Sequence, residues 1–192
     1  MRLSNTRLFK ARLSKARLLA YGLVLASVNS YAGNLPPIQP VPHVDLPRFM
    51  GQWYLIATIP TRFEKSAYNA IETYTLQPDG CVYTSLRFRN GSFGAPVKTI
   101  HSLGFVKPDS GNSVWGIQLF WPLKAQYIVA YLSADYSEMI VARDARDYTW
   151  VMARTPTIPQ SDYDGLMARV KQLGYSMADI RKVPQAWPEA GQ

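Results

Sequence analysis

Apolar and polar residues alternate with a period of two through most of the chain between residues 51 and 153. The alternation is clearest at residues 113–120, where Trp115, Ile117 and Leu119 are separated by smaller or polar residues. This pattern is typical of a strand with one buried face. We predict eight short strands: one between Pro47 and Pro60, and others at 69–76, 81–89, 97–106, 113–120, 126–132, 138–142 and 148–153.

The connections between these strands are short and carry turn residues, such as Pro78-Asp79-Gly80 and Asn90-Gly91. Consecutive strands joined in this way are antiparallel and can form an up-and-down barrel or a sandwich. A closed eight-stranded barrel has no unpaired edge, and its interior can hold side chains and one small ligand. We therefore predict an all-β, eight-stranded up-and-down antiparallel barrel.

The apolar period changes to that of a helix after the eighth strand. Within residues 159–173 the apolar positions follow helical spacing, and Gly174 stands where helices commonly end. These positions are Tyr163, Leu166, Met167, Val170 and Leu173. A single C-terminal amphipathic helix must pack its apolar stripe on the outside of the barrel. Residues 181–192 are polar and contain prolines, so they either add a short strand or remain loose.

Four segments are predicted along the chain. Residues 1–32 have a basic head, an apolar run at 18–28 and the small-residue site Ser30-Tyr31-Ala32, the pattern of a signal peptide cleaved after Ala32. The alternative is a membrane anchor, but the apolar run is well short of the roughly 20 residues that cross a bilayer. Residues 33–43 form an extended leader, 44–183 the barrel plus helix, and 184–192 a polar tail. We expect a soluble periplasmic or secreted protein.

The formal charge of +8 initially suggests an acidic partner such as nucleic acid. Six of the basic residues lie within residues 1–32, which have no acidic residue, and the rest of the chain holds fifteen basic and thirteen acidic side chains. The part expected to fold is therefore almost neutral, and we predict no nucleic-acid partner. Cys81 is the single cysteine, so no intramolecular disulfide forms, and we interpret it as a packing residue rather than a redox group.

No catalytic or metal-binding pattern stands out. The two histidines, His43 and His101, and one cysteine do not make a metal site. The sequence Gly91-Ser92-Phe93-Gly94 has the wrong spacing for a nucleophile elbow. We predict no cofactor, no metal and no enzymatic activity.

Three motifs resemble those of the lipocalins, and in particular the bacterial lipocalin and apolipoprotein D-like group. They are Gly51-Gln52-Trp53-Tyr54, residues 144–148 leading into Trp150, and Arg154-Thr155-Pro156 after the last strand. The resemblance implies a cup that is closed at one end. It also implies that Trp53, preceded by Gly51, plugs the closed end and that Arg154 lies across its ring. A guanidinium over an indole contributes roughly 0.5–2 kcal/mol.

The ligand-binding residues are expected on the inward face of the middle strands. The candidates are Trp115, Ile117, Leu119, Tyr127, Val129, Tyr131, Leu86 and Phe88. Each could instead be an ordinary core or outer-face residue. Phe93 and Trp121 are candidates for the rim of the cup. Arg87, Arg89 and Lys98 either meet an acidic head group or form a solvated strand face, the second being favoured.

The leading hypothesis is an exported protein that holds a fatty acid, lysophospholipid or similar apolar small molecule for storage or transport. The resembling bacterial members are anchored through a lipidated cysteine, but no cysteine lies near Ala32. We therefore expect a freely diffusing carrier that makes transient membrane contact. Two alternatives stay open: an isomerase-type enzyme with a polar group deep in the cup, and a protein-interaction module that uses the rim loops.

Overall fold

The computed structural model describes residues 35–189, so the predicted signal peptide lies outside the described residues. Two helices and nine strands follow in chain order. They are α1 (Leu46–Phe49), β1 (Gly51–Ile59), β2 (Ala67–Leu76), β3 (Val82–Asn90), β4 (Val97–Val106), β5 (Val114–Phe120), β6 (Leu123–Leu132), β7 (Glu138–Ala142), β8 (Thr149–Ala153), α2 (Gln160–Gln172) and β9 (Arg181–Lys182). Neither described helix is long and apolar enough to span a membrane.

The first eight strands close into a barrel. Each pairs with the next along the chain in antiparallel fashion, and β8 and β2 both pair with β1, which closes the ring. Pairing of β1 with β2 runs from Gly51 to Tyr54, and β9 pairs with β1 farther along, at Ala57 and Thr58. The predicted all-β up-and-down barrel with one helix outside is confirmed.

Two apolar cores lie on opposite sides of the barrel wall. The inner core includes the large buried side chains of Trp53, Trp115 and Phe49. The outer core lies under α2, where Leu166 and Val170 pack with residues that include Ile128, Ile140 and Val151. Strands β7 and β8 therefore face an apolar core on each side, which explains why their sequences are almost continuously apolar.

The short helix α1 was not predicted. Asp45 caps it by accepting a hydrogen bond from the Arg48 amide at 3.3 Å, and Pro47 fits the first turn. Four residues are too few to display a helical apolar period. The helix nevertheless matters for the fold, because it places the buried Phe49 in the inner core at the closed end.

The leader is hydrogen-bonded along the barrel, with Ile38 in the outer core and Val41 packed against the inner core. The Ile38 amide donates to Asp144 Oδ1 at 2.7 Å, the Val41 amide to the Val129 carbonyl at 2.9 Å, and the Val44 amide to the Gly111 carbonyl at 2.8 Å. A Cβ on Gly111, which has φ +59°, would overlap the Pro42 carbonyl. These bonds connect the loop after β7, at one end of the barrel, to the loop after β4, at the other.

Candidate ligand-binding cavity

One end of the barrel is closed by Trp53. Its side chain is fully buried, and its Nε1 donates to the Phe49 carbonyl at 2.9 Å. The Arg154 guanidinium carbon lies 3.8 Å from the centre of a Trp53 ring. Gly51, with φ +92°, has the left-handed backbone that glycine adopts without strain, and a Cβ there would lie 3.5 Å from Arg154 Nη1.

Arg154 also ties the surrounding chain together through backbone carbonyls. Nη1 donates to Gln52 at 2.9 Å, Nη2 to Arg48 at 2.7 Å and Phe49 at 3.1 Å, and Nε to Tyr136 at 3.3 Å. These bonds connect α1, the start of β1 and the loop between β6 and β7. Because one planar side chain satisfies four carbonyls, this end of the barrel is fixed as a unit.

Four aromatic rings form a floor above the Trp53 plug. Phe49 lies 5.3 Å from both Tyr74 and Trp115, measured between ring centres. Trp115 stacks on Tyr127 at 5.0 Å and an interplanar angle of 11°, and its Nε1 donates to the Asn112 carbonyl at 2.6 Å. The polar edges of these rings are satisfied, so the floor is a packed base for what lies above it.

A cavity of about 410 Å³ lies between this floor and the open end. That volume falls within the range of roughly 300–1,000 Å³ typical of small-molecule sites. Most of its wall is apolar, with loop residues at the mouth. Its lining residues are Thr61, Arg62, Phe63, Glu64, Glu72, Tyr74, Thr84, Leu86, Ile100, Ser102, Ile117, Leu119, Ala125, Gln126, Tyr127, Arg143, Tyr148, Trp150 and Met152.

The acidic side chain within the strand wall of the cavity is Glu72 on β2. It is partly accessible through the cavity but surrounded by protein, and burial raises the pKa of its carboxyl to about 8. A hydrogen bond with Thr84 acts in the opposite direction, while the negative charge of Glu64 adds to the increase. Glu72 therefore keeps its proton at neutral pH and can donate a hydrogen bond into the cavity.

Comparison with known proteins identifies the fold family. A family model described as a lipocalin-like domain matches residues 44–185. The chain belongs to the lipocalin family. The predicted resemblance is thus confirmed over nearly all of the described barrel.

Two relatives show how far this lipocalin has diverged. It is 27% identical over 152 residues to temperature-induced lipocalin-1 of Arabidopsis thaliana, which covers 74% of this chain and 80% of that protein. It is 28% identical over 145 residues to outer membrane lipoprotein Blc of Citrobacter freundii, covering 76% and 81%. Among solved structures, insecticyanin from the tobacco hornworm Manduca sexta has a TM-score of 0.61 at 14% identity, covering 83% of this chain and 90% of that one. That structural likeness concerns the fold.

The eight predicted ligand residues occupy four kinds of position in this lipocalin. Leu86, Ile117, Leu119 and Tyr127 line the cavity. Trp115 lies in the floor, and Phe88 and Val129 are buried in the inner core without lining the cavity.

The eighth predicted residue, Tyr131, is on the outer face of the barrel. It packs with the outer core, and the Arg169 guanidinium of α2 lies 4.3 Å from its ring centre. The physical reason is a register shift between Val129 and Tyr131 in the β6–β7 pairing, which reverses the inward and outward alternation. The prediction assumed that alternate residues continue to face inward beyond Val129. The bulge breaks that alternation, so the prediction placed Tyr131 on the wrong face.

Sequence reasoning missed the contribution of β2 and β4 to the wall. Glu72 is the direct cross-strand partner of both Trp53 and Leu86, so it shares their inward face. Glu72 lies two residues before Tyr74, so strand alternation puts both side chains on one face, and this was a usable signal of inward orientation. It was overlooked because a glutamate in a strand usually faces solvent. Ser102 and Ile100 of β4, and Trp150 and Met152 of β8, were also missed.

Arg87 and Arg89 lie on the outer face of β3 and bind the chain's own C-terminal segment. Arg87 Nη2 contacts Glu189 Oε2 at 2.6 Å, and Arg89 Nη2 contacts the same oxygen at 2.8 Å. Asn69 Nδ2 donates to Glu189 Oε1 at 3.1 Å. We call Glu189 with Arg87, Arg89 and Asn69 the tail clasp. The two arginines are therefore engaged within the chain, neither at a head group nor as a simply solvated face.

The open end carries exposed apolar side chains. The tip of the β5–β6 hairpin presents Phe120, Trp121 and Leu123, which are 62%, 87% and 75% exposed. Phe63 of the β1–β2 loop and Phe93 of the β3–β4 loop are also exposed, and Phe93 packs edge-on against Tyr68 at 5.0 Å. Leu119 and Ala125 beside this hairpin tip line the cavity, so the apolar rim continues into the cup.

Proposed function

We propose that this lipocalin holds a fatty acid, lysophospholipid or similar apolar small molecule in its cavity, for storage or transport. The observation that carries the proposal is an apolar-walled cavity of about 410 Å³ with a packed aromatic floor and an open mouth. Removing apolar surface from water provides about 25 cal/mol per Å², and a few polar groups then set the orientation.

The proposed location is the periplasm or the extracellular medium. The signal-peptide pattern of residues 1–32 supports export. The similarity to Blc, which is named an outer membrane lipoprotein in Citrobacter freundii, also favours the cell envelope. Because no cysteine lies near the predicted cleavage site, we propose a diffusing carrier rather than a lipid-anchored one.

We further propose that the rim makes transient contact with a lipid bilayer when ligand enters or leaves. Trp121 and Leu123 are almost fully exposed at a hairpin tip that borders the mouth. Exposed aromatic and aliphatic side chains at the end of a molecule are unfavourable in water and partition into the bilayer interface. Contact there would place the cavity mouth directly against the lipid.

The test begins with mass spectrometry of small molecules extracted from the purified protein, followed by fatty-acid titration of the delipidated form. Tryptophan fluorescence should be quenched saturably, with no conversion of the acid. The matched variants are Ile117→Trp, which fills the cavity, and Gln118→Trp, on the other face of the same strand. The first should abolish saturable binding and the second should preserve it.

The other outcomes identify the alternatives. Conversion of the ligand would favour an enzyme, and Glu72 is the kind of polar group in the cup that an isomerase would need. Absence of both co-purifying lipid and saturable binding would overturn the carrier and favour a protein-interaction module. Equal binding by both tryptophan variants would place the ligand outside the cavity.

A further inference from the structure

The cavity has a polar base in addition to its apolar wall. Tyr74 is the direct cross-strand partner of Thr84, and Thr84 is the partner of Ser102, so three hydroxyls lie side by side on β2, β3 and β4. Tyr74 also belongs to the aromatic floor, which places this row at the closed end of the cavity. Glu72 stands one inward position nearer the mouth on β2. We call Glu72, Tyr74, Thr84, Ser102 and Tyr127 the polar base.

Four members of the polar base are linked in two pairs by hydrogen bonds. The Thr84 and Ser102 hydroxyl oxygens are 2.7 Å apart, and those of Tyr74 and Tyr127 are 2.8 Å apart. The Thr84 hydroxyl also acts on Glu72, because it lowers the pKa of that carboxyl. A hydroxyl can donate and accept at once, so each pair can turn part of its capacity toward a ligand.

Positive charge is confined to the mouth. Among the described lining residues the basic side chains are Arg62, in the β1–β2 loop, and Arg143, directly after β7. Arg143 is engaged with Asp147 at 2.9 Å. A ligand carboxylate therefore finds its counter-charge at the mouth, whereas the base offers one carboxyl and four hydroxyls.

We infer that the polar base receives the uncharged, hydroxyl-bearing end of a long-chain ligand, such as a fatty alcohol or a monoacylglycerol, with the chain directed toward the mouth. This inference rests on the proposed function and narrows its ligand class. A hydroxyl matches Glu72 in either protonation state, because it accepts from the acid and donates to the carboxylate. A ligand carboxylate can only accept, so it matches Glu72 only in its protonated form. A ligand ammonium can only donate, so it matches Glu72 only in its ionised form.

The charges around Glu72 favour an uncharged ligand end at the polar base. The ionisable groups that line the same cavity are Glu64 and Arg62 from the β1–β2 loop, Arg143 and Tyr148 from the β7–β8 loop, and Tyr74 and Tyr127 in the base. Burial raises the pKa values of both tyrosines, so their phenol groups stay uncharged at neutral pH. Placing a ligand carboxylate there would require its desolvation with no positive charge at hand.

The test compares three ligands of one chain length, dodecanol, dodecanoate and dodecylammonium, on the full mature chain by tryptophan fluorescence. The variants are Glu72→Leu, which removes the hydrogen-bonding group, and Glu72→Gln, which keeps it without charge. We expect Glu72→Leu to weaken dodecanol about tenfold and Glu72→Gln to weaken it less than about threefold. Dodecanoate should bind Glu72→Leu as well as, or better than, the wild type.

The pH dependence gives an independent measurement. Between about pH 6 and about pH 9, wild-type affinity for dodecanol should change little, whereas that for dodecanoate should fall as Glu72 loses its proton. A loss confined to dodecylammonium in Glu72→Leu would overturn the inference in favour of a cationic ligand. Unchanged dodecanol binding in that variant would also overturn it while leaving the proposed function intact. Failure of all three ligands to bind folded wild-type protein would instead overturn the proposed function.

Discussion

The two ends of the barrel use the same kinds of residue for opposite purposes. At the closed end Trp53 is fully buried, its indole N–H is satisfied, and Arg154 covers its ring at 3.8 Å. At the open end Trp121 is 87% exposed at a hairpin tip. The presence of a tryptophan therefore does not by itself indicate its structural role. Burial, a hydrogen-bond partner and a covering cation distinguish a structural plug from a rim residue.

The ends also differ in how the chain is held. Arg154 satisfies four backbone carbonyls at the closed end, and this ties three separate segments to one side chain. Nearer the open end, strands β2 and β3 are held from outside by the tail clasp, which depends on charge at the barrel surface. The closed end is thus fixed by the buried Trp53 and by hydrogen bonds to uncharged carbonyls, and the open half by ion pairs that protonation of Glu189 would weaken.

The sharpest test of this comparison exchanges each tryptophan for alanine. Trp53→Ala should lower the free energy of unfolding by about 3–5 kcal/mol, because it removes a fully buried indole and leaves Arg154 without its ring. Trp121→Ala should change it by less than about 0.5 kcal/mol, since the side chain is already in water. Chemical denaturation measures both. An unchanged midpoint for Trp53→Ala would contradict the role of Trp53 as a plug.

The second prediction concerns Glu72, between the two ends. Its native pKa is raised to about 8, so the native state retains a proton that the unfolded chain releases near pH 4.5. The wild type should therefore lose stability as pH rises from about 4.5 to about 8. Glu72→Gln should remove this loss and be more stable at pH 8 by on the order of 2 kcal/mol, allowing for water in the cavity. Parallel denaturation curves at pH 5 and pH 8 measure it, and an equal wild-type minus variant difference at both values would contradict it.

The sequence was sufficient for most of the fold, because strand alternation and helical spacing are local patterns. The apolar stripe of α2, with Leu166 and Val170 buried, is where the spacing placed it. The four-residue α1 was missed because it is too short to show a period, although it supplies Phe49 to the floor. The sequence also left open whether the tail adds a strand, since pairing of β9 with β1 is a long-range event.

The site was less predictable because inward orientation depends on register. Tyr131 was assigned to the cup by parity, and a bulge after Val129 turns it to the outer face. Glu72 was overlooked because glutamate in a strand normally faces water, and its pairing with Trp53 becomes evident only in three dimensions. Bulges and cross-strand partners have no reliable local sequence signature, so the polar base could not be assembled in advance.

The third prediction tests the tail clasp. Glu189→Gln should lower stability by about 1–2 kcal/mol at neutral pH, since it weakens two ion pairs to arginines that partly reach solvent. The arginines hold the pKa of Glu189 well below its usual range. The stabilisation by Glu189 is therefore present above its unfolded pKa of about 4.5 and is lost as pH falls through its lower native pKa. Denaturation at neutral and acid pH measures the effect.

The matched control for the clasp is Asp147→Asn, which disrupts the more exposed pair with Arg143. It should have an effect near zero, because exposed pairs contribute little. Equal losses for the two variants would contradict the special position of Glu189. Hydrogen exchange should also show faster opening of β2 and β3 in Glu189→Gln, with protection of the closed end unchanged.

The smallest expected effect lies at the rim. Trp121→Ser should weaken association with anionic phosphatidylglycerol vesicles by about tenfold, because the indole no longer buries its area in the interface. Sedimentation of the protein with vesicles measures this, and the melting midpoint should be unchanged. Tyr83→Ser is the control, since Tyr83 is an exposed aromatic on β3 near the closed end, where it contacts His101. If both variants lose vesicle affinity equally, the membrane contact is not made by the open end. If neither variant loses vesicle affinity, the ligand reaches the cup through water, and the exposed rim would need another explanation.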